Sequence, residues 1–450
     1  MTYLSLVDIL VPAVLLLLFY FIGKKAQHRH IESEPYYKYF VPALFVKVLG
    51  GAAVCLVYAF YYSGGDTTGY YHDNTCVVNL FMQQPMAALR YTFAEITTQN
   101  WFDFNYQTDW PYYIFDSHAV WVTKFTWVLS LITFNSFIGQ TMLLSFLTFF
   151  SMWRLYKIFV MEFPAIQKGL AFAILFIPSV DFWGSGLLKD TITLSAAAIF
   201  TTSVYYIIKL KRSYMVNTLY LLFAAWVLIK IKPYICFALM PGTLIWLASY
   251  QLEKIKNKVL KSFFTPILIV VAIFFGVILL KNMGTSLGSY SLDTVLERAA
   301  ISQQELKKDI YQGSSFDIGE FDPTVSGVLS KAPIAIGTAL FRPFIWETYN
   351  PAMFVSGIEN LGILIFTIYL LIQLRIINFF RLLTKNHLLF FSFSFSIFFA
   401  FSVGLSSSNF GALVRYKIPA IPFFVSTLLI TSYYYQSKKR EEEREYYKLT

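Results

Sequence analysis

Apolar stretches about as long as a membrane-crossing helix recur along the whole chain, and they constrain its fold more than any motif does. A hydrocarbon core about 30 Å thick takes roughly 20 helical residues to cross. Inside it the backbone has no water to bond to, so each crossing has to be a helix that satisfies its own N–H and C=O groups. Eleven such runs are read, at 4–22, 40–62, 137–156, 169–181, 187–208, 214–230, 234–250, 263–281, 356–374, 387–404 and 417–435. The expected fold class is an all-α polytopic integral membrane protein of about 11 transmembrane helices, with residues 1–450 forming a single transmembrane domain. The first run is read as a helix and not as a signal peptide. Its basic residues, Lys24 and Lys25, follow the apolar stretch, where a signal peptide carries them in front.

Composition closes off other classes. Apolar residues make up 57% of the chain and charged ones 14%, against roughly 45–50% and 25% in soluble domains. Such a chain is too hydrophobic to be disordered. Its net charge of +10 is not gathered into the long charged stretches of a nucleic-acid binder, so no nucleic-acid partner is expected. Cys55, Cys76 and Cys236 show no CxxC spacing and suggest neither a disulfide framework nor a zinc site. No internal repeat is found.

Lys and Arg are enriched in cytoplasmic loops, which orients the chain. The segments 24–38, 154–168, 209–212, 254–261, 375–385 and the tail from Lys438 hold 22 of the 36 basic residues. All fall on one face if the N-terminus starts outside, the helices alternate, and residues 118–134 lie in the outer interface with Trp121 and Trp127 at headgroup level. Two large loops are then extracytoplasmic: 63–136, with interfacial helices, and 282–355, with short amphipathic helices. Short turns near Lys189, Lys232 and Arg415 share that face. Residues 436–450 form a cytoplasmic tail whose mixed charges read as an exposed helix end. In the second loop Ser302 and Glu305 make an S-x-x-E capping box, and Pro323 and Pro333 break the pattern beyond it.

Chemistry is expected on the outer face. The first constellation is YYSGGDTTGYYHDN, where paired glycines turn the chain as it leaves the membrane and Asp66, His72 and Asp73 follow. A carboxylate held at the lipid boundary is partly desolvated, which makes it a better base; the bland alternative is an ordinary polar exit loop. The second is PSVDFWGSGLLKD, which brings Lys189 and Asp190 to the head of the fifth run, where ionisable groups are costly unless paired or useful. They either mark the water boundary or help bind an anion. The third is a set of cations: Lys230 and Lys232 in IKIKPY, Arg342 in LFRPFIWE, and Arg415 with Lys417 in SSSNFGALVRYKIP. Arginine forks match phosphate oxygens, while snorkelling to headgroups is the alternative for each and is preferred for Lys230. Lys47, inside the second run, is read as structural, its stem reaching the cytoplasmic headgroups. Asp103, Asp109 and Asp116 are spaced too loosely for a metal motif. No cofactor is assigned, and a divalent cation stays open. The aromatic stretch WFDFNYQTDWPYYIF around them suits a sugar face or the membrane surface.

At GGDTTGYYHD, PSVDFWGSGLLKD and NFGALVRYKIP the chain resembles the polytopic GT-C glycosyltransferases and the related bacterial cell-surface polysaccharide polymerases. The resemblance implies that Asp66 matches the loop acid acting as base, and that the donor is a sugar on polyprenyl phosphate or pyrophosphate. It further implies a glycan or lipid acceptor and a bacterial cytoplasmic membrane. Two features depart from the pattern: an extra helix precedes the acidic loop, and no large soluble C-terminal domain follows, which argues against protein glycosylation. The residues support the same chemistry. Asp66 takes the acceptor proton with His72 or Asp73 orienting it, while Arg342, Arg415 and Lys189 or Lys232 hold the phosphate. Asp190 and Lys417 complete the expected substrate-binding set. The rival readings are a repeat-unit polysaccharide polymerase, which uses similar cations without one dominant base, and a lipid-linked sugar transporter or flippase. The latter usually places its charges at the bilayer midplane on inverted repeats.

Overall fold

The structure is a computed structural model that describes residues 4–252, 315–319 and 325–449. Among these residues there is no β-strand, only one isolated bridge between Ser315 and Asn409. The helices are α1 (Val7–His30), α2 (Phe40–Leu56), α3 (Asp66–Gln83), α4 (Pro85–Phe93), α5 (Val120–Ile132), α6 (Phe137–Glu162), α7 (Gln167–Leu175), α8 (Pro178–Trp183), α9 (Lys189–Tyr205), α10 (Tyr214–Ile231) and α11 (Pro233–Leu252). They continue as α12 (Val325–Ser330), α13 (Ala332–Phe341), α14 (Pro351–Leu383), α15 (His387–Ser406), α16 (Phe410–Tyr416) and α17 (Ile421–Leu449).

Seven helical segments among the described residues are long and apolar enough to cross a membrane: Val7–His30, Pro35–Tyr61, Phe137–Glu162, Lys189–Leu210, Tyr214–Ile231, Pro351–Leu383 and His387–Ser406. An eighth is added if Phe410–Tyr416 and Ile421–Arg444, bent by 66°, count as one span. The chain is thus an all-α polytopic membrane protein.

The expected eleven runs are not all recovered. The run at 169–181 is broken: α7 stops at Leu175, Ile177 is extended (φ −79°, ψ 117°), and Pro178 opens α8. A proline ring disfavours helical backbone at the residue before it and brings no N–H to the ladder. The run at 234–250 is helical, but its apolar part, Pro233–Ala248, falls short of a full crossing. The run at 263–281, the basic connector at 254–261, the Ser302–Glu305 capping box and Pro323 lie outside the described residues. At the far end α17 continues helically through the tail, with Lys438–Glu442 and Lys439–Glu443 paired at i,i+4.

Two contact units divide the chain. Unit 1 comprises residues 1–157, 175–200 and 222–232. In it α2 lies against α8 so closely that a Cβ on Gly50 would stand 2.5 Å from the Asp181 carbonyl oxygen. Asp8 of α1 caps α6 from outside that helix, accepting from Ser136 Oγ at 2.8 Å and from the Ile138 N–H at 3.1 Å. A carboxylate at a helix N-terminus satisfies an orphan donor and complements the dipole.

Helix α5 corrects the placing of Trp127 at headgroup level. Trp127 is 3% exposed and donates its indole N–H to Thr92 Oγ1 at 3.0 Å. One side of α5, with Val120 and Trp127, joins a core with Leu80 and Tyr91, while Val122 and Leu129 join a second core with Tyr70 and Leu187. Two faces of α5 are thus packed in protein, while Val128 and Ile132, 40% and 58% exposed, leave one apolar edge facing outward.

Unit 2 comprises residues 158–174, 201–221 and 233–450. Its core is an aromatic stripe on α15, Phe391, Phe395 and Phe399, spaced four residues apart so that the rings share one helix face. Phe423 of α17 meets Phe395 edge to face at 5.0 Å. Asn386 caps α15, accepting from the Leu388 and Leu389 N–H groups, and its amide donates to Glu162 at 3.1 Å. Glu162 also accepts from the Tyr205 hydroxyl at 2.7 Å.

Candidate functional site

Helix α2 leaves its apolar run through a π-helical turn, Val57–Tyr61. Ser63, Gly64 and Gly65 then all take positive φ, 55°, 139° and 131°. Two glycines suit this corner because φ near 130° is open only to a residue without a Cβ. The corner ends at Asp66, the first residue of α3, so its carboxylate sits at the positive end of the helix dipole. The Tyr113 hydroxyl lies 3.4 Å from Asp66 Oδ1.

One face of α3 holds the distal part of the first loop. Positions 66, 69, 70 and 73 share that face by helical spacing. Tyr70 packs its ring 4.8 Å from Tyr113, and a Cβ on Gly69 would stand 2.8 Å from the Tyr113 ring. Asp73 is fully buried and accepts the backbone N–H groups of Tyr112 and Tyr113, at 2.6 and 2.9 Å. His72 Nε2 lies 3.1 Å from Asp109 Oδ2, Nδ1 lies 3.5 Å from Asp73 Oδ1, and the ring stacks on Tyr112 at 3.9 Å. Burial opposes the charged imidazolium, but the hydrogen bonds and charges of Asp73 and Asp109 outweigh it and hold His72 above its ordinary pKa. The His72 hydrogen bond, with the Trp110 N–H, holds Asp109 below the usual carboxylate range.

These contacts revise the expected division of labour. Asp73 lies seven residues beyond Asp66, about 10 Å along the helix axis, and both its oxygens are engaged by the loop backbone. His72 and Asp73 therefore anchor the loop, and the hydroxyl that reaches Asp66 comes from Tyr113.

The same loop end meets the head of α9 and the C-terminal end of α10, both in unit 1. Asp116 accepts the N–H groups of His118 and Ala119 at 2.8 and 2.7 Å, and its other oxygen lies 3.7 Å from Lys189 Nζ. Burial works against the charged Asp116 carboxylate, but the Ala119 N–H, Lys189 and the His118 N–H outweigh it, and its pKa is lowered. His118 Nδ1 lies 2.8 Å from the Lys230 carbonyl oxygen. Asp190, fully buried, forms a close ion pair with buried Lys232. Of the residues expected from sequence to bind substrate, Lys189, Asp190 and Lys232 are thus brought together, with Asp116 paired to Lys189. Lys47 is structural as expected, but its partner is different. It is buried and donates to the Gly184 carbonyl at 2.6 Å, inside the PSVDFWGSGLLKD turn, instead of reaching headgroups.

Unit 2 holds the remaining cations. Arg342 turns its fork onto Glu347, with Nε 3.1 Å from both carboxylate oxygens, and its guanidinium lies over the rings of Phe316 and Phe410 at 5.2 and 4.9 Å. Lys417 is buried and donates to Asn360 Oδ1 at 2.6 Å and to the Arg342 carbonyl at 2.9 Å. Asn360 returns a bond to the Pro343 carbonyl at 3.0 Å. Arg415 stands in the last turn of α16, where a cation complements the helix dipole. Within unit 2, Arg342 and Lys417 are therefore neighbours in one knot.

Sequence reasoning missed Tyr113, Glu347 and Asn360, each of which touches a residue it had singled out. Among the described residues no group of three or more His, Cys, Asp and Glu side chains is arranged to hold a metal ion. No family model, curated protein or solved structure matches the chain.

Proposed function

We propose that this protein is a membrane glycosyltransferase that moves a sugar from a polyprenyl-phosphate-type donor to an acceptor hydroxyl at the extracytoplasmic face, in assembly of a cell-surface glycan. The observation that carries the reading is the placement of Asp66. Its carboxylate stands at the head of α3, directly after the corner by which the chain leaves a membrane-length helix, and a phenol reaches it. A base at that boundary meets both a lipid-borne donor and a water-borne acceptor. In the reaction Asp66 takes the proton of the acceptor hydroxyl, the acceptor oxygen bonds to the anomeric carbon, and the bond from that carbon to the phosphate oxygen breaks. Phosphate leaves as an anion, so no protein acid is needed. Lys189, beside Asp116 at the same end of unit 1, supplies positive charge for it.

The test uses purified full-length protein in lipid nanodiscs, a polyprenyl-phosphate hexose as donor and an oligosaccharide acceptor. Wild type releases polyprenyl phosphate only when acceptor is present. Asp66→Asn keeps the shape of the side chain and loses the base, so its rate falls about 10²–10⁴-fold while donor binding changes little. A near wild-type rate in a folded Asp66→Asn protein sinks the base assignment and favours the polymerase or transporter reading.

A further inference from the structure

Two lysines of unit 1 stand against one indole. Lys230 Nζ lies over the Trp121 ring, 5.3 Å from its centroid, and Lys124 Nζ lies over the same ring at 4.7 Å. Lys124 is 5% exposed and gives one N–H to the Ala94 carbonyl at 2.6 Å, while Lys230 is half-buried in the last turn of α10. Among the described residues neither ammonium forms an ion pair with a carboxylate. Asp116 and Asp190, at this end of unit 1, are engaged by Lys189 and Lys232.

Two like charges at one ring repel. Burial pushes the Lys124 ammonium down to about 8, the Lys230 charge pushes it the same way, and the exposed Glu95 only partly opposes them. A cation at the C-terminal end of α10 is accounted for by the helix dipole and by snorkelling. Neither accounts for a second, buried cation against the same indole. An anion placed there offsets both the repulsion and the cost of the buried charge.

The approach to the two lysines is through lipid. Helix α10 is membrane-length, and only 28% of its apolar stretch is buried in the protein. Phe223, Trp226 and Lys230 follow one another at i, i+3 and i+7, which places them on one helix face. Phe223 is 52% exposed and Trp226 39%, and Trp226 meets Trp121 edge to face at 5.1 Å. An outward aromatic stripe thus runs along a lipid-facing helix to the cations, so the group that reaches them from the bilayer is a headgroup. Charge selects among headgroups. A phosphate monoester carries about −1.5 to −2 at neutral pH and matches two lysines, whereas the diester of a bulk phospholipid carries a single negative charge.

We propose that Lys230 and Lys124, held against Trp121, form a binding site for the phosphate monoester of a membrane lipid, with Lys230 making the contact and Lys124 supplying the second charge. That this lipid is the sugar donor rests on the glycosyltransferase reading; the binding itself does not.

The experiment is native mass spectrometry of the detergent-solubilised full chain, titrated with polyprenyl monophosphate, dioleoyl phosphatidic acid and dioleoyl phosphatidylglycerol. At least one of the two monoesters binds wild type about tenfold more tightly than the diester phosphatidylglycerol. Lys230→Gln weakens monoester binding by about tenfold, and Lys230→Arg, which keeps the charge, retains most of it. Lys124→Gln removes the preference for monoester over diester; should that variant fail to fold, Lys230→Gln and the comparison of lipids still decide. Preference for polyprenyl monophosphate over phosphatidic acid assigns the site to the donor, and equal or tighter binding of phosphatidic acid assigns it to a phospholipid. Phosphatidylglycerol bound as tightly as both monoesters overturns the proposal and leaves snorkelling, as does monoester affinity unchanged in Lys230→Gln. The titration contains no acceptor, so a protein that binds the monoester and transfers no sugar keeps this site and loses the glycosyltransferase reading.

Discussion

His72 Nε2 lies 3.1 Å from the Asp109 carboxylate across 37 residues of sequence, and this contact closes the distal part of the first loop onto α3. His72 is held above its ordinary pKa and Asp109 below its own. A raised histidine contributes stability that is complete below its unfolded value, about 6.5, and is lost as pH rises through the folded value. A lowered carboxylate contributes above about 3.9 and loses that contribution as pH falls through its folded value. The tie is therefore strongest between about pH 4 and 6.5 and loosens as pH rises above that range. Hydrogen exchange at the Tyr112 and Tyr113 amides, corrected for intrinsic rates, should slow in this window and quicken above it. Asp109→Asn should flatten the profile, and an unchanged profile would show that the pair does not hold the loop.

The buried pair of Asp190 and Lys232 makes a different kind of prediction. Each charge is out of water, and each compensates the other. Asp190→Leu or Lys232→Met alone should cost about 3–5 kcal/mol, and the double variant should recover most of the loss. Thermal unfolding in detergent, followed by tryptophan fluorescence, gives all three values. Single variants that melt like wild type would mean that the pair contributes nothing to folding, and substrate binding would then be the better explanation of both residues.

Lys417 can be separated from substrate in the same way. It bonds Asn360 and the Arg342 carbonyl, so Lys417→Met strands two acceptors and should destabilise by about 1–3 kcal/mol. Donor titration at a temperature where the variant is folded should give near wild-type affinity. Intact stability with lost donor binding would reverse the assignment and return Lys417 to the phosphate.

The parts of the fold visible in the sequence are those that lipid dictates. Among the described residues, seven of the expected apolar runs are membrane-length helices because a crossing must be both apolar and continuous. The break at Pro178 was also written in the chain, yet the hydropathy of 169–181 hides it, since composition does not register a missing N–H. The reach of Asp8 to α6 and of Lys47 to Gly184 could not be read, because 128 and 137 residues separate the partners and no local pattern links them. Acids and cations near helix ends were legible as a set. Their pairing was not: nothing in YYHDN says that Asp73 faces the backbone of Tyr112 while His72 turns to Asp109.

The contact between Tyr113 and Asp66 gives the last prediction, which separates positioning from proton transfer. Tyr113 is held at three points on one face of α3: its ring by Tyr70, its backbone by Asp73, and its hydroxyl 3.4 Å from Asp66. If Asp66 is the base, Tyr113→Phe removes only a neighbour that aims the carboxylate. The rate should then fall by about tenfold, the worth of one ordinary hydrogen bond of up to about 1.5 kcal/mol, with the loss in kcat and not in KM. Asp66→Asn should cost about 10²–10⁴-fold. The double variant should be no slower than Asp66→Asn alone, because the phenol has nothing left to orient. Gly69→Ala tests the same arrangement from the backbone. Its Cβ would meet the Tyr113 ring at 2.8 Å, so it should displace the ring and reproduce the Tyr113→Phe rate. A double variant that is slower than Asp66→Asn by the full Tyr113 factor would show that the phenol acts on substrate directly, and Tyr113 would then have to be counted among the residues that touch the reacting sugar.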